Sequence, residues 1–556
     1  MNQAAKTSEA QAAPTIPEPD FVIIGAGAAG GVMAKELSVA GFRVVVLEQG
    51  PYLRPKDFTH DEIKILVENY LINDWKSQPN TFRKTPGEKA TTKPSVIYGR
   101  MVGGGTAHFT GNYWRFHPID FIERSKKGAI PGTGFADWPI TYDELEPYYV
   151  KVESEIGVSG LPSANPFDPP RSRNVVQPPL PIKSSGVIAE MAAKKLGWHA
   201  YPAPLAILSQ ARPGRGACIH CGFCEFFGCE VGAKSSTLAS VIPIAERTGR
   251  CEIRPHSYVR KIEVDPRGRV TGVTYFDAQK REHFQKAKAV IVCANGAETP
   301  RLLLMSKSNL FPQGLANSSG LVGKYLMLNG ATEITGVFEH PLNDYKSVAP
   351  SRVIHDFYEL DSKLGFYGGG GIDARFEFTP LAFALFGLPQ EKAWWGAELK
   401  KLLRTYPRCM NVVSHTTSLA LETNSFSLDD EVKDAWGLPA LRMTYKDHPD
   451  DLKTMAFFVE RLHELLDTAG AIQRWGWPVQ ESNFAFHLLG TCRMGNDPQS
   501  SVVNKDHRAH DVPNLFLCDG SSFVSSGRGQ PTMTIQALAY RAAEGIVRMA
   551  RAGELS

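Results

Sequence analysis

The chain has 556 residues, of which 43% are hydrophobic and 21% charged, as in an ordinary soluble globular protein. This length exceeds what one hydrophobic core usually supports, so two or more domains are expected. The formal net charge is only +3, which gives no reason to expect nucleic acid or an anionic membrane surface as a partner. No apolar run reaches the roughly 18–20 residues of a membrane-spanning helix, so no transmembrane segment is expected.

Residues 1–17 are rich in Ala, Gln, Pro and Glu, a composition that predicts a disordered tail. The tail has no basic stretch followed by an apolar stretch, so it does not read as a secretory signal. The nine cysteines of the chain do not follow the pattern of a secreted disulfide framework.

A dinucleotide-binding unit follows the tail. Residues 21–24 form a short apolar strand, a helical pattern comes next, and a second strand ends in Glu48. A glycine-rich turn between strand and helix allows a pyrophosphate to reach the helix N-terminus, and the terminal acid suits ribose hydroxyls. The motif does not by itself separate FAD from NAD. The glycines of the turn are Gly25, Gly27 and Gly30.

Four further motifs occupy the rest of the chain. A second glycine-rich loop spans residues 98–108, and a strand-turn-helix pattern spans 289–304. A His-x-x-Gly-Thr segment begins at residue 487, and the last motif runs from 514 to 534 before an alanine-rich helix.

With these motifs in this order, residues 20–549 resemble the glucose–methanol–choline (GMC) oxidoreductase family. The resemblance implies an α/β fold, in which a Rossmann-like FAD-binding domain carries an antiparallel-sheet substrate domain. It also implies that the motifs surround one FAD. The cofactor-binding residues that it indicates are Gly25, Gly27, Gly30, Glu48, Arg100, Gly103, Gly104, His108, Asn112, Val259, Asp519, Gly520 and Thr532.

The resemblance indicates His487 as the catalytic base. Oxidation of an alcohol requires the hydroxyl proton to leave with the hydride, and a histidine near the flavin suits that task. The family's second active-site residue is His or Asn, whereas Gln530 stands at that place here. Gln530 would orient the substrate hydroxyl, unless its side chain points away. His108 is either packed beside the flavin or bonded to it covalently.

Four cysteines lie within twelve residues, at positions 218, 221, 224 and 229. Structural zinc sites usually combine two ligand pairs that are separated by a dozen or more residues. The CxxCxxC spacing is instead ferredoxin-like and favours an iron–sulfur cluster, with structural zinc and free thiols as the alternatives. The metal ligands predicted by this pattern are Cys218, Cys221, Cys224 and Cys229.

The cysteine loop narrows the resemblance to the iron–sulfur flavoprotein subunits of bacterial sugar dehydrogenases, of the gluconate 2-dehydrogenase, glucoside 3-dehydrogenase and FAD-dependent glucose dehydrogenase type. This group suggests a 3Fe–4S cluster, with 4Fe–4S as the alternative. It also suggests a small escort subunit with an export signal, and a cytochrome c or quinone acceptor. Since such clusters are assembled in a reducing compartment, we expect folding in the cytoplasm, then export to the periplasmic face of the inner membrane.

The expected domain organisation is discontinuous. Residues 18–160, 236–335 and 484–556 would form the FAD-binding domain. Residues 161–235 would be a proline-rich linker carrying the cysteine loop, and 336–483 the substrate domain. Strands are expected at 331–338 and 417–422.

The expected activity is an FAD-dependent dehydrogenase that oxidises a hydroxyl of a sugar, glycoside or sugar acid. His487 would take the proton, and electrons would leave through the cluster. One alternative is an oxidase that uses dioxygen and keeps a structural cysteine loop. Another is a flavin-binding redox partner without a small-molecule substrate.

Overall fold

A computed structural model describes residues 15–555. Most of the predicted disordered tail, residues 1–14, lies outside the described residues. The strands are β1 (Phe21–Ile24), β2 (Val44–Leu47), β3 (Asn80–Arg83), β4 (Thr91–Thr92), β5 (Ala200–Pro202), β6 (Cys251–Arg254), β7 (Tyr258–Val264), β8 (Val270–Phe276), β9 (Glu282–Lys286), β10 (Ala289–Val292), β11 (Gly330–Val337), β12 (Pro350–Ile354), β13 (Gly370–Arg375), β14 (Cys409–Thr416), β15 (Ser425–Lys433), β16 (Pro439–Thr444), β17 (Gln473–Gly476) and β18 (Leu515–Leu517).

Eleven α-helices connect these strands within the described part of the chain. They are α1 (Ala28–Val39), α2 (Pro118–Phe121), α3 (Glu123–Lys127), α4 (Tyr142–Val152), α5 (Ser184–Leu196), α6 (Ile242–Arg247), α7 (Asn295–Met305), α8 (Pro380–Phe386), α9 (Gly396–Leu403), α10 (Pro449–Ala469) and α11 (Thr532–Arg551). Between residues 15 and 555, no helix has both the length and the apolar character needed to cross a membrane.

A five-stranded parallel sheet, in the order β18-β10-β1-β2-β6, forms the first layer. Strands β1, β2 and β10 are buried along their whole length, which explains their uninterrupted apolar sequences. Helices α1 and α11 pack together beside this sheet. A Cβ atom on Gly30 would lie 1.9 Å from the carbonyl oxygen of Gly25, so only glycine allows α1 to approach the turn after β1.

A six-stranded sheet in the order β17-β11-β14-β13-β12-β5 forms the second layer, and all its strand pairs are antiparallel. Helices α10 and α5 cover one face of it. The buried core there includes Ile334, Ile372, Val412, Phe458 and Leu462. The α/β fold with an antiparallel substrate sheet is therefore confirmed.

Two smaller sheets complete the structure, in the orders β15-β16-β3-β4 and β7-β8-β9. The strand expected at 331–338 is present as β11, displaced by one residue. The strand expected at 417–422 is wrong, because β14 ends at residue 416 and the chain then leaves the sheet. The division into domains stays a prediction, although β5, within the predicted linker, pairs with β12 in the second layer.

Candidate active site

One cavity of about 790 Å³ lies between the carboxyl ends of β1, β2 and β10 and the antiparallel sheet. Its volume is within the range of cofactor and ligand sites. Motifs at the two ends of the chain, around Gly25 and Thr532, meet on its walls. The predicted site residues that line it are Gly25, Gly27, Glu48, Gly104, His108, Val259, His487, Asp519, Gly520, Gln530 and Thr532.

The two glycine-rich loops touch each other at one end of this cavity. Gly104 has a φ of +53°, and a Cβ atom there would lie 2.8 Å from the Cα atom of Gly27. A side chain at residue 104 would therefore collide with the phosphate-binding turn. The bare backbone of both loops is the surface that a dinucleotide pyrophosphate needs.

Glu48 lies at the end of β2 and is buried. One carboxylate oxygen accepts from the backbone N–H of Ala26 and the other from that of Gly50, both at 2.9 Å. Burial raises the pKa of this carboxyl, while the two N–H donors oppose that rise. Glu48 therefore braces the glycine-rich turn as well as facing the cavity.

Four predicted cofactor-binding residues do not line the cavity: Gly30, Arg100, Gly103 and Asn112. Gly30 acts in helix packing, and the backbone N–H of Gly103 donates to the carbonyl of Ala26 at 2.9 Å. Asn112 donates to a carboxylate oxygen of Asp373 at 2.8 Å. These residues support the walls of the cavity, and their contact with a cofactor stays a prediction.

Asp519 and Gly520 follow β18 and close another side of the cavity. The Asp519 carboxylate accepts from the backbone N–H of Asn295 at 3.1 Å and from the Thr299 hydroxyl at 2.6 Å. Asn295 is the first residue of α7, where a negative charge is favoured, and Thr299 lies about one turn later. Asp519 thus ties α7 to the end of β18, beside the cavity.

His487 lines the cavity, and its Nδ1 atom donates to Oδ1 of Asn329 at 2.9 Å. The amide nitrogen of Asn329 donates to the carbonyl of Thr416 at 3.1 Å, which fixes the orientation of the amide. The ring therefore keeps an unprotonated Nε2, the form that a general base requires. Burial, helped by the nearby His415, lowers the pKa of His487 to about 3.

Gln530 also lines the cavity, at the end of a loop that leads into α11. Two residues earlier, the fully buried guanidinium of Arg528 contacts the carboxylates of Asp120 and, at 2.5 Å, Glu123. This ion network holds the loop in place. Arg528 lies 405 residues from Glu123 along the chain, and no sequence motif indicated the network.

His108 is buried at the cavity, and its Nε2 atom has no hydrogen-bond partner among the described residues. Burial and the charge of Lys234 lower the pKa of His108 to about 4, so the ring is neutral. A neutral, unpartnered nitrogen fits either a histidine packed beside a flavin or one bonded to it. The two alternatives stated for His108 stay open.

A set of charged residues on the antiparallel sheet also lines the cavity and was missed from the sequence. Arg375 ends β13 with Glu377 just beyond, and Glu333 and His415 project from β11 and β14. The alternation of charged and apolar residues from 372 to 377 was a signal for such a strand. Burial raises the pKa of Glu333 to about 8, and the charge of Glu377 adds to that rise.

The cysteine loop adjoins the same cavity. Glu225 and Phe226, directly after Cys224, line its wall, and the Phe226 ring stacks over His108 with ring centres 6.4 Å apart. The loop is thus a neighbour of the dinucleotide-binding loops in space as well as a sequence motif.

The cysteine side chains form a partly buried group with a cation beside it. Burial raises the pKa of Cys224 to about 12, and the other three cysteines of the loop raise it too, while Lys234 opposes them. The Lys234 ammonium donates to the carbonyl of Phe227 at 2.8 Å, and its backbone N–H donates to the sulfur of Cys229 at 3.5 Å. Nearby thiols, an N–H donor and a buried cation are the groups that stabilise a thiolate-bound cluster.

Across residues 15–555, no three His, Cys, Asp or Glu side chains converge on a point where a single metal ion would sit. The zinc alternative therefore gains no support. This arrangement does not demonstrate an iron–sulfur cluster either, and the cluster stays a prediction.

Family models decide the relationship. The amino-terminal model of the GMC oxidoreductases matches residues 19–328, and the carboxy-terminal model matches residues 420–539. The chain belongs to the GMC oxidoreductase family. The resemblance read from the sequence is confirmed, and with it the FAD type of oxidoreductase, which acts on alcohol- or sugar-like substrates.

Individual relatives of this GMC oxidoreductase align over nearly its full length. It is 35% identical to 2-methyl-1,2-propanediol dehydrogenase of Mycolicibacterium austroafricanum, over 96% of this chain and 95% of that protein. It is 29% identical to the fructose dehydrogenase large subunit of Gluconobacter japonicus, over 96% of this chain and 98% of that protein. Formate oxidase of Aspergillus oryzae shares the fold, with a TM-score of 0.66 and 16% identity, over 97% of this chain and 99% of that protein.

Proposed function

We propose that this GMC oxidoreductase is a dehydrogenase that oxidises a hydroxyl of a sugar, glycoside or sugar acid, and that its electrons leave through an iron–sulfur cluster. The observation that carries the proposal is the shared cavity: glycine-rich loops, His487 and the cysteine loop all form its walls. The names of two relatives, a diol dehydrogenase and a fructose dehydrogenase large subunit, support the substrate class and the use of an acceptor other than dioxygen.

Bound FAD would supply the acceptor for the hydride that leaves the substrate carbon. Gly25, Gly27 and Gly104 offer the backbone surface for its pyrophosphate, and Asp519 and Thr532 line the same cavity. The close contact between the two glycine loops, which a single Cβ atom would destroy, is the structural evidence that these residues fit such a group.

His487 performs the proton transfer. Its Nε2 atom accepts the proton of the substrate hydroxyl while Asn329 holds the opposite side of the ring. Gln530 provides an amide at the cavity that orients the hydroxyl by hydrogen bonding and cannot itself act as a base. Burial lowers the pKa of the histidine, so the ring is neutral before the reaction and the Nε2 lone pair is free.

A 3Fe–4S cluster, or a 4Fe–4S cluster as the alternative, would supply the one-electron exit at the cysteine loop. Its ligands would come from Cys218, Cys221, Cys224 and Cys229. The contact of this loop with the cavity through Glu225 and Phe226 supports that role. A cytochrome c or quinone acceptor, a small escort subunit, folding in the cytoplasm and export to the inner-membrane periphery belong to the same proposal.

Anaerobic titration of the holoenzyme with a panel of sugars, glycosides and sugar acids tests the proposal. We expect bleaching of the flavin absorbance, followed by a change in the electron paramagnetic resonance of the cluster. Stopped-flow mixing with air then separates a dehydrogenase from an oxidase. Fast reoxidation of the reduced flavin by air alone would contradict the dehydrogenase, and unchanged bleaching in His487→Ala would contradict the assigned base.

A further inference from the structure

The antiparallel sheet presents a polar wall to the cavity, formed by Glu333, Arg375, Glu377 and His415. The reaction described above uses none of these side chains. They arise from β11, β13, β14 and the segment directly after β13, and the register of these strands places Glu333, Arg375 and His415 on one face of the sheet. A precise array of polar groups on a rigid element is typical of substrate recognition.

Arg375 is only 4% exposed, and its bonding is incomplete. One terminal nitrogen donates to Glu377 at 2.5 Å, and the other lies 3.0 Å from Nε2 of His415. Its Nε–H is buried without a hydrogen-bond partner among the described residues. A buried donor is rarely left unpaired, so the free N–H indicates an acceptor on a bound molecule.

The neighbours of Arg375 are carboxyl groups, whose oxygens can accept hydrogen bonds. Glu333 accepts from the amide of Asn411 at 2.5 Å and has a second carboxyl oxygen, and Glu225 lines the cavity near Glu377. The wall therefore offers one free donor among several carboxyl groups. Asp373, which lies 3.0 Å from His415, adds a further carboxylate behind it.

Only some chemical groups satisfy both the donor and the acceptors. A hydroxyl accepts from an arginine and donates to a carboxylate at the same time. A carboxylate can only accept, and it would add negative charge beside Glu377, which is already paired with Arg375 in a desolvated cavity. An ammonium group can only donate, and it would lie against the guanidinium.

We infer that the polar wall binds the non-reacting hydroxyls of a neutral polyol or sugar and rejects sugar acids. This inference rests on the proposed function and narrows its substrate class. Arg375 and Glu377 are then specificity residues, which hold a second hydroxyl while His487 acts on the first.

The test compares a neutral sugar with the sugar acid of the same carbon skeleton. Binding to the oxidised holoenzyme is measured by calorimetry, and flavin bleaching gives kcat/KM under anaerobic conditions. We expect the neutral sugar to exceed its acid about a hundredfold in both quantities. Glu377→Gln, which keeps the shape but removes the charge paired with Arg375, should reduce this ratio about tenfold, as the loss of one unfavourable charge contact implies. The matched control is Glu398→Gln, an exposed glutamate on α9.

A second variant tests the donor. Arg375→Lys keeps the positive charge but lacks the planar guanidinium with its Nε–H, so it should weaken binding of the neutral sugar about tenfold. Equal binding of the sugar and its acid to the wild type, or an unchanged ratio in Glu377→Gln, would overturn the inference. Bleaching without selectivity would contradict this inference alone, whereas selective binding without any bleaching would contradict only the proposed function.

Discussion

The Nδ1 atom of His487 lies 2.9 Å from Oδ1 of Asn329, and this contact sets which ring nitrogen is free to take a proton. Asn329 precedes β11, whereas His487 lies 158 residues later in the chain. The asparagine amide also donates to backbone carbonyls of β14 and of the loop before Gln530. It therefore connects the predicted base, the substrate sheet and the loop that carries Gln530.

Replacement of Asn329 should impair proton transfer. We expect Asn329→Leu to lower kcat about 10–100-fold, part of the contribution that a positioned base makes. Asn329→Asp should retain the hydrogen bond but place a negative charge beside the ring, which raises the pKa of His487. The acid limb of the kcat–pH profile would then move to higher pH. A merely structural role for Asn329 would lower activity without that shift.

The stability of the protein should fall in acid because of histidines outside the cavity. Burial lowers the pKa of His355 to about 3 and that of His507 to about 4. Below the ordinary histidine pKa of about 6.5, the unfolded state binds protons that the folded state does not bind, so the free energy of unfolding decreases as the pH falls. Each histidine adds a slope of up to about 1.4 kcal/mol per pH unit. Urea unfolding of His355→Gln between pH 7 and 5 should show a smaller slope than the wild type.

Loss of Arg528 should destabilise the loop before α11. Arg528→Met leaves Asp120 and Glu123 buried without their counter-charge, which should cost about 3–5 kcal/mol in the free energy of unfolding. The matched control is Arg260→Met, which breaks a partly exposed pair with Glu282 and should cost less than about 1 kcal/mol. Chemical unfolding measures both, and equal losses would refute the role given to this network.

A methyl group at residue 104 should prevent flavin retention. Gly104→Ala would force its Cβ atom against Gly27 at a φ of +53°, and so displace the phosphate-binding turn. The absorbance ratio of flavin to protein after purification should fall severalfold. Gly87→Ala is the control, because a Cβ atom there meets nothing within 4 Å. Full flavin content in Gly104→Ala would show that the contact is not needed for binding.

Serine substitutions in the cysteine loop should count the cluster ligands. Each true ligand, replaced singly, should lower the iron and acid-labile sulfide content, whereas a non-ligand should leave both unchanged. Cys251→Ser is the control, since Cys251 is buried in β6 away from the loop. Three sensitive positions would indicate 3Fe–4S, and four would indicate 4Fe–4S. An iron-free wild type, assembled anaerobically with iron and sulfide, would rule out the cluster.

Local sequence could predict those parts of the site whose geometry is set by residues close together in the chain. The glycine turn after β1 and Glu48 after β2 follow from one βαβ unit, so spacing alone indicates them. His487 and Gln530 were indicated by family motifs, and both line the cavity. Asn329 was missed because its role depends on a residue 158 positions away.

The polar wall was missed for a related reason. Arg375, Glu333 and His415 meet only because β11, β13 and β14 pair in one register. The register of strands that are joined by long loops cannot be deduced from local periodicity. The strand expected at 417–422 failed in the same region. Its apolar residues Leu419 and Ala420 are buried in packing after the chain has left β14, so burial there does not require a strand.

The position of Glu225 and Phe226 on the cavity wall has a consequence for protein engineering. A shortened loop that omits the cysteines would also remove a side of the chamber and admit water beside His108. Variants of the cysteine loop are therefore better made by replacing the cysteines singly than by deleting the segment. The segment that carries the predicted cluster ligands therefore also encloses the cavity.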